Sequence, residues 1–183
     1  MINEKLLDSR IIFLNGEVND ESAYDIITKL LYLDSVNHED ISLYINSPGG
    51  SVISGLAIID CMNIINSDVK TYCIGSAYSM ASIILSCGTF GKRYCLPNSE
   101  VMIHSPSSYI EGKAEEVALR SKRLDNTKEK LIEILSKKTK MHKKQIAKYF
   151  QVDSFMNSEE ALILGIVDKI IKSTWFYKDY MLT

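Results

Sequence analysis

The feature that most constrains this chain is a hydrophobic period that switches back and forth between two and 3.6 residues. Arg10 to Leu14 (RIIFL) reads as a short buried strand. Behind Asn19 or Asp20 as cap, Ala23, Ile26, Ile27, Leu30 and Leu31 fall on one helical stripe. Ile41, Leu43 and Ile45 alternate as a strand that ends in the turn NSPGGS, and an apolar helix follows from about Val52 to Ile65. Val69 to Ile74 (VKTYCI) alternates again, the chain turns between Gly75 and Ser79, and Met80, Ile83, Ile84 and Cys87 return to helical spacing. Strands and helices in alternation bury their apolar surfaces by laying helices on a parallel or mixed sheet, so the fold class is α/β.

The second half continues with two short strands, Lys92 to Leu96 and Glu100 to His104, joined by the turn PNS. A helix then runs from Ala114 to Thr139, roughly 39 Å at 1.5 Å per residue, longer than a core of this size needs. Its apolar positions Val117, Leu124, Leu131 and Leu135 are interrupted by Ser121 and Lys128, which points one stripe at another subunit. The cluster KKTKMHKK, Lys137 to Lys144, reads as a solvated helix end whose cations complement the dipole. Asn157 with Glu160 has the pattern of a capping box ahead of a helix at Ala161 to Leu164. Gly165 suits its C-cap, Ile166 to Ile171 reads as a last strand, and the tail STWFYKDYMLT concentrates aromatics for packing or an interface.

Composition excludes several classes. A chain of 183 residues is long enough for one full core, so a single domain across residues 1–183 is expected. A formal charge of −2 gives no basic surface for nucleic acid. The four cysteines, Cys61, Cys73, Cys87 and Cys95, lie among apolar residues without CxxC spacing and read as buried thiols in a reducing compartment. No signal-like h-region or uninterrupted membrane-length apolar run is present, and a cytoplasmic location is expected.

The chemistry concentrates around GSAYSMASIILSCG, Gly75 to Gly88. Ser79 at a strand-to-helix corner has a plain reading as N-cap and a sharper one as nucleophile, beside free N–H groups that could hold an oxyanion. A serine needs a base, and there are three histidines. His38 sits in a polar loop and His142 in the lysine cluster, whereas His104 ends a strand just before Ser-Pro, where catalytic groups on α/β sheets gather. Which of the eleven aspartates orients the imidazole is left open by the residues themselves. The turn SPGG at 47–50 allows a close backbone approach. It matches neither a P-loop nor GxGxxG, and no HExxH or carboxylate cluster suggests a catalytic metal.

Four ordered segments, LYINSPGGS (43–51), GSAYSMAS (75–82), GKRYCLPNSEVMIH (91–104) and SEEALILGIVDKI (158–170), resemble the ClpP family, the proteolytic subunit of the Clp protease. The resemblance implies Ser79 as nucleophile, His104 as general base and then acid, Asp153 as orienting carboxylate, and an oxyanion hole from the N–H groups of Gly50 and Met80. It implies a ClpP/crotonase-like spiral of ββα units, with a protruding handle helix in the region of about 105–140. That handle would interleave two heptameric rings into a closed tetradecamer. Polypeptide substrate would lie extended along Ser105 to Gly112. It implies no cofactor in this chain, since ATP hydrolysis would belong to a partner AAA+ unfoldase docking near Tyr44 and Ile64.

The sequence also departs from the family pattern. The resemblance leads one to expect a longer axial segment before Leu6 than the few residues that precede it here, Gln151 and Val152 stand where charged residues are usual, Ser105 to Tyr109 replaces a glycine-containing segment, and Tyr78 replaces a small residue beside the nucleophile. These departures frame a rival expectation, a weakly active or non-catalytic ring subunit working beside a second ClpP-type subunit. A crotonase-like acyl-CoA enzyme using the same pair of amides is a more distant one.

Overall fold

The computed structural model describes residues 2–108 and 111–171. In chain order the elements are α1 (Ile2–Asp8), β1 (Ile11–Asn15), α2 (Asp20–Val36), β2 (Ile41–Ser47), α3 (Val52–Ile64), β3 (Val69–Tyr78) and α4 (Met80–Ser86). They continue with β4 (Arg93–Cys95), β5 (Glu100–Ile103), α5 (Ala114–Lys138), α6 (Lys143–Tyr149), β6 (Ser154–Asn157), α7 (Ser158–Ile163) and β7 (Lys169–Ile170).

One mixed sheet organises them, in the order β1-β2-β3-β4-β7, with every neighbouring pair along that path parallel. β3 is long enough to serve two partners on one edge. Its first half pairs with β4 (Thr71↔Arg93 to Cys73↔Cys95), and its second half pairs with β5 (Ser76↔Glu100 to Tyr78↔Met102). β6 lies antiparallel on the far side of β5. This forked α/β sheet matches the fold class expected from the alternating periods.

β3 corrects one expectation: the chain does not turn at Gly75. Gly75 adopts φ +79 beside a register shift between Ile45 and Ser47, so it makes a bulge that bends the strand and lets it run on to Tyr78. The predicted last strand at 166–171 shortens to Lys169–Ile170, because Ile166 and Val167 bury themselves in the turn after α7.

α1, α6 and β6 were not anticipated. α6 lies partly inside the lysine cluster, which is therefore more than a solvated helix end: Met141, Ile146 and Phe150 are buried, while His142, Lys143 and Lys144 face solvent. The aromatic tail at 173–183 lies outside the described residues.

Burial alternates along β1 and β2 as the period of two requires. Ile12, Leu14, Ile41, Leu43 and Ile45 face the core under α2, α3 and α4. The opposite face carries Phe13, Tyr44, Tyr72 and Tyr94 in register on four adjacent strands, their rings stacked at centroid distances of 5.4, 4.5 and 4.8 Å. In α5 only Leu131, Ile132 and Leu135 are buried, all in its C-terminal part; Leu119 is 71% exposed, so the first turns project away from the core. All four cysteines are free and buried, as expected. Among the described residues no helix is long and apolar enough to cross a membrane.

Asp34 on α2 ties that helix to the turn before β3. Its carboxylate accepts from the Ser67 N–H and hydroxyl (both 2.8 Å), from the Asn66 N–H (3.1 Å) and from His38 Nδ1. Desolvation alone would raise its pKa, but the bonds from Ser67, His38 and Asn66 together outweigh it and hold the carboxyl at about 2. A carboxyl depressed by folding contributes stability that is fully present above its unfolded value near 3.8 and is lost as pH falls toward 2. Asp34→Asn should therefore flatten the fall in unfolding free energy between roughly pH 4 and pH 2, measured by urea titration at a series of pH values.

Candidate active site

Three segments meet where β3 ends. The first is Ser79, held at φ +51 and ψ −122, one of only two non-glycine residues with positive φ among the described residues. Such a conformation costs on the order of 1–3 kcal/mol and persists only where neighbours enforce it. Here the Ser79 N–H donates to the Met102 carbonyl at 2.8 Å, and its own carbonyl accepts from the Ser82 N–H and hydroxyl, which start α4. Ser79 thus occupies the N-cap position but its hydroxyl makes no capping bond, which sets aside the plain N-cap reading. The hydroxyl turns instead to His104, with Oγ 2.9 Å from Nε2.

His104 follows directly on β5, its strand end pinned by the Ser105 N–H donating to the Phe150 carbonyl. Its Nδ1 lies 2.8 Å from Asp153 Oδ1. An ionised carboxylate only accepts, so Nδ1 carries the proton toward Asp153 and Nε2 is left to accept from the Ser79 hydroxyl. Asp153 sits in the short link between α6 and β6, where the Ser154 hydroxyl donates to the Tyr149 carbonyl at 2.8 Å. Its side chain is 63% exposed, that of His104 28%. His38 and His142, read as surface residues, are exposed.

The turn at Pro48 to Gly50 presses on this corner. The Gly49 N–H donates to Ser47 Oγ, the Gly49 carbonyl accepts from Val18 N–H at 2.8 Å, and Ser51 N–H donates back to the Val18 carbonyl at 2.7 Å. A Cβ on Gly49 would stand 2.6 Å from the Tyr78 carbonyl, 2.8 Å from Ser79 Cβ and 2.9 Å from Met80 N, so only glycine admits this approach. The turn carrying Gly50 and the N–H of Met80 are thereby brought to one corner.

Beside it lies a small, mostly apolar recess lined by Val52, Met80, Ile83, Pro106 and Leu131 together with Ser79 and His104. It neighbours a cleft of about 540 Å³ between the start of α3, Pro106 to Ser108, and Arg120, Arg123, Leu124 and Thr127 of α5. The segment expected to pair with substrate, Ser105 to Gly112, contains Tyr109 and Ile110, which lie outside the described residues.

The other expected residues lie elsewhere. Tyr44 stands within the row of stacked rings, and Ile64, at the last turn of α3, is 75% exposed. Sequence reasoning missed Glu100 and Phe155, which meet the Tyr78 hydroxyl and ring; with β6 unanticipated, no local signal paired them with it.

A hydroxyl, an imidazole and a carboxylate in series, at a strained strand-to-helix corner of a mostly parallel sheet, are the equipment of nucleophilic acyl transfer. The chain belongs to the Clp protease family, whose model matches residues 1–174. The ATP-dependent Clp protease proteolytic subunit of Carsonella ruddii (strain PV) is 46% identical over 171 residues, which cover 93% of this chain and 88% of that protein.

Proposed function

We propose that the protein is a serine endopeptidase subunit of a Clp-type chambered protease, with Ser79, His104 and Asp153 as its triad. The observation that carries this reading is the unbroken relay, 2.9 Å from Ser79 Oγ to His104 Nε2 and 2.8 Å from His104 Nδ1 to Asp153. Ser79 Oγ attacks the peptide carbonyl as His104 Nε2 takes its proton, and Asp153 stabilises the imidazolium. The N–H groups of Gly50 and Met80 hold the resulting oxyanion. His104 then gives the proton to the leaving amine, the amide C–N bond breaks, and an acyl ester on Ser79 remains. Water, deprotonated by the same imidazole, hydrolyses the ester and regenerates the hydroxyl.

No step requires a metal or cofactor. ATP hydrolysis belongs in this reading to a separate AAA+ unfoldase. The half-buried ring row that includes Tyr44, together with the exposed Ile64, supplies its docking surface, since a parallel sheet ordinarily has both faces covered. The projecting first turns of α5 serve as the handle that joins heptameric rings into a tetradecamer.

The reading is tested by the purified protein's hydrolysis of a short fluorogenic peptide, with particle mass measured on the same sample. Turnover by a particle of seven or fourteen chains is the expected result. The 63% exposure of Asp153 favours one second reading, a subunit whose carboxylate is held firmly only beside another type of subunit. Turnover that arises solely in mixed rings would select it.

A further inference from the structure

We infer that Tyr78 is a positioning residue, its ring and hydroxyl clasping together β3, β5 and β6, the strands that adjoin Ser79, His104 and Asp153; the inference rests on the triad reading above. Tyr78 immediately precedes Ser79. Its hydroxyl donates to Glu100 Oε1 at 2.5 Å, and Glu100 opens β5, the strand that leads into His104. Its ring meets Phe155 edge to face, with centroids 5.7 Å apart and planes at 86°. Phe155 lies on β6, two residues beyond Asp153.

The clasp is needed because the backbone here is thinly tied. β3 and β5 share three register pairs, Ser76↔Glu100 to Tyr78↔Met102, and β5 and β6 share four, Glu100↔Asn157 to Ile103↔Ser154. β6 is the outermost strand of that fork and Asp153 is mostly exposed, so the carboxylate is held only by its bond to His104, by β6 and by the short link to α6. Tyr78, Met102 and Phe155 stand in one cross-strand row, and the Tyr78–Phe155 contact spans it. Met102, the middle member, is only 7% exposed. The aromatic contact therefore joins the nucleophile's strand directly to the carboxylate's strand, passing over the one between them. Reacting groups tolerate little displacement, about 1 Å costing up to ~10² in rate, so a small loosening at this row reads out at Ser79.

The test uses the assembled full chain and a short fluorogenic peptide, with Tyr78→Phe, Glu100→Ala and the double variant. Tyr78→Phe keeps the ring contact and removes only the hydroxyl. It should lower kcat about fivefold to tenfold with KM within about twofold. Glu100→Ala should match it, and the double variant should be no worse than either, because both remove the same bond. Thermal midpoint and particle mass are followed in parallel.

An unchanged kcat in Tyr78→Phe, a loss carried by KM, losses that multiply in the double variant, or a lowered midpoint with kcat intact would each overturn the positioning role. Turnover that disappears in Ser79→Ala yet ignores Tyr78→Phe strikes the clasp alone. Turnover that survives Ser79→Ala strikes the triad reading, and the clasp falls with it.

Discussion

Ser79→Ala should reduce peptide turnover by about 10⁴ to 10⁶ in kcat while leaving the fold and the particle mass unchanged, a loss of the size seen when a triad acts as one unit. The fold should survive because alanine meets the same backbone requirement as serine at φ +51 and the hydroxyl makes no capping bond for α4. What disappears is the atom that attacks. His104 keeps its bond to Asp153 but loses the only partner described for Nε2. Because the nucleophile and its base serve one step, adding His104→Ala to Ser79→Ala should cost almost nothing further. Peptide assays of the two single variants and the double variant, at matched particle mass, check this. Independent, multiplying losses would mean that the two residues do not share a step.

The second large effect falls on a residue with no side chain. Gly49→Ala should lower kcat by about 10² to 10³, the scale associated with one lost oxyanion donor. The added Cβ would sit 2.6 Å from the Tyr78 carbonyl and 2.8 Å from Ser79 Cβ, both within the rigid corner that bears the nucleophile. Neither can give way cheaply, because β3 and β5 hold the Tyr78–Met102 row and the Ser79 N–H is committed to Met102. The turn must then retreat, and the neighbouring Gly50 N–H retreats with it.

Strain from the positive φ adds a stability cost of about 1–3 kcal/mol that must be separated from the catalytic one. Gly16→Ala provides the separation. Gly16 has a similar φ, +85 against +89, and nothing within 4 Å of its added Cβ. It should lose stability while keeping kcat. Equal effects of the two substitutions on kcat would show that the Gly49 contact with the corner is of no catalytic consequence.

The inner strands of the sheet and α2 were legible because their burial follows a clean period: Ile41, Leu43 and Ile45 alternate, and Ala23, Ile26 and Leu30 repeat on one face. Ser79 and His104 were legible for a related reason, since each lies where such a pattern breaks. Asp153 was not readable from local pattern at all, and the fold explains why. It is placed by α6 and β6, a seven-residue helix with three lysines and a four-residue edge strand, both too short to carry a periodic signal. Only the resemblance of the surrounding segments singled it out from the other aspartates.

The extension of β3 through Gly75 was hidden for a different reason. A glycine between a strand and a helix reads as a turn, and the bulge that absorbs it depends on the register of β2, which no local window contains. Tyr78 could be seen as bulky beside the nucleophile, but its partners Glu100 and Phe155 are brought to it by strand pairing alone.

Everything proposed for this site requires Ser79 to be an activated nucleophile. Treating the assembled protein with a fluorophosphonate, digesting it and weighing the peptide that contains Ser79 measures that property without any choice of substrate. The expected result is one covalent adduct on Ser79, formed rapidly in the unsubstituted chain and at least about 10²-fold more slowly in His104→Ala, since the base is what activates the hydroxyl. An unmodified Ser79, under conditions that label a related active Clp protease to completion, would contradict it.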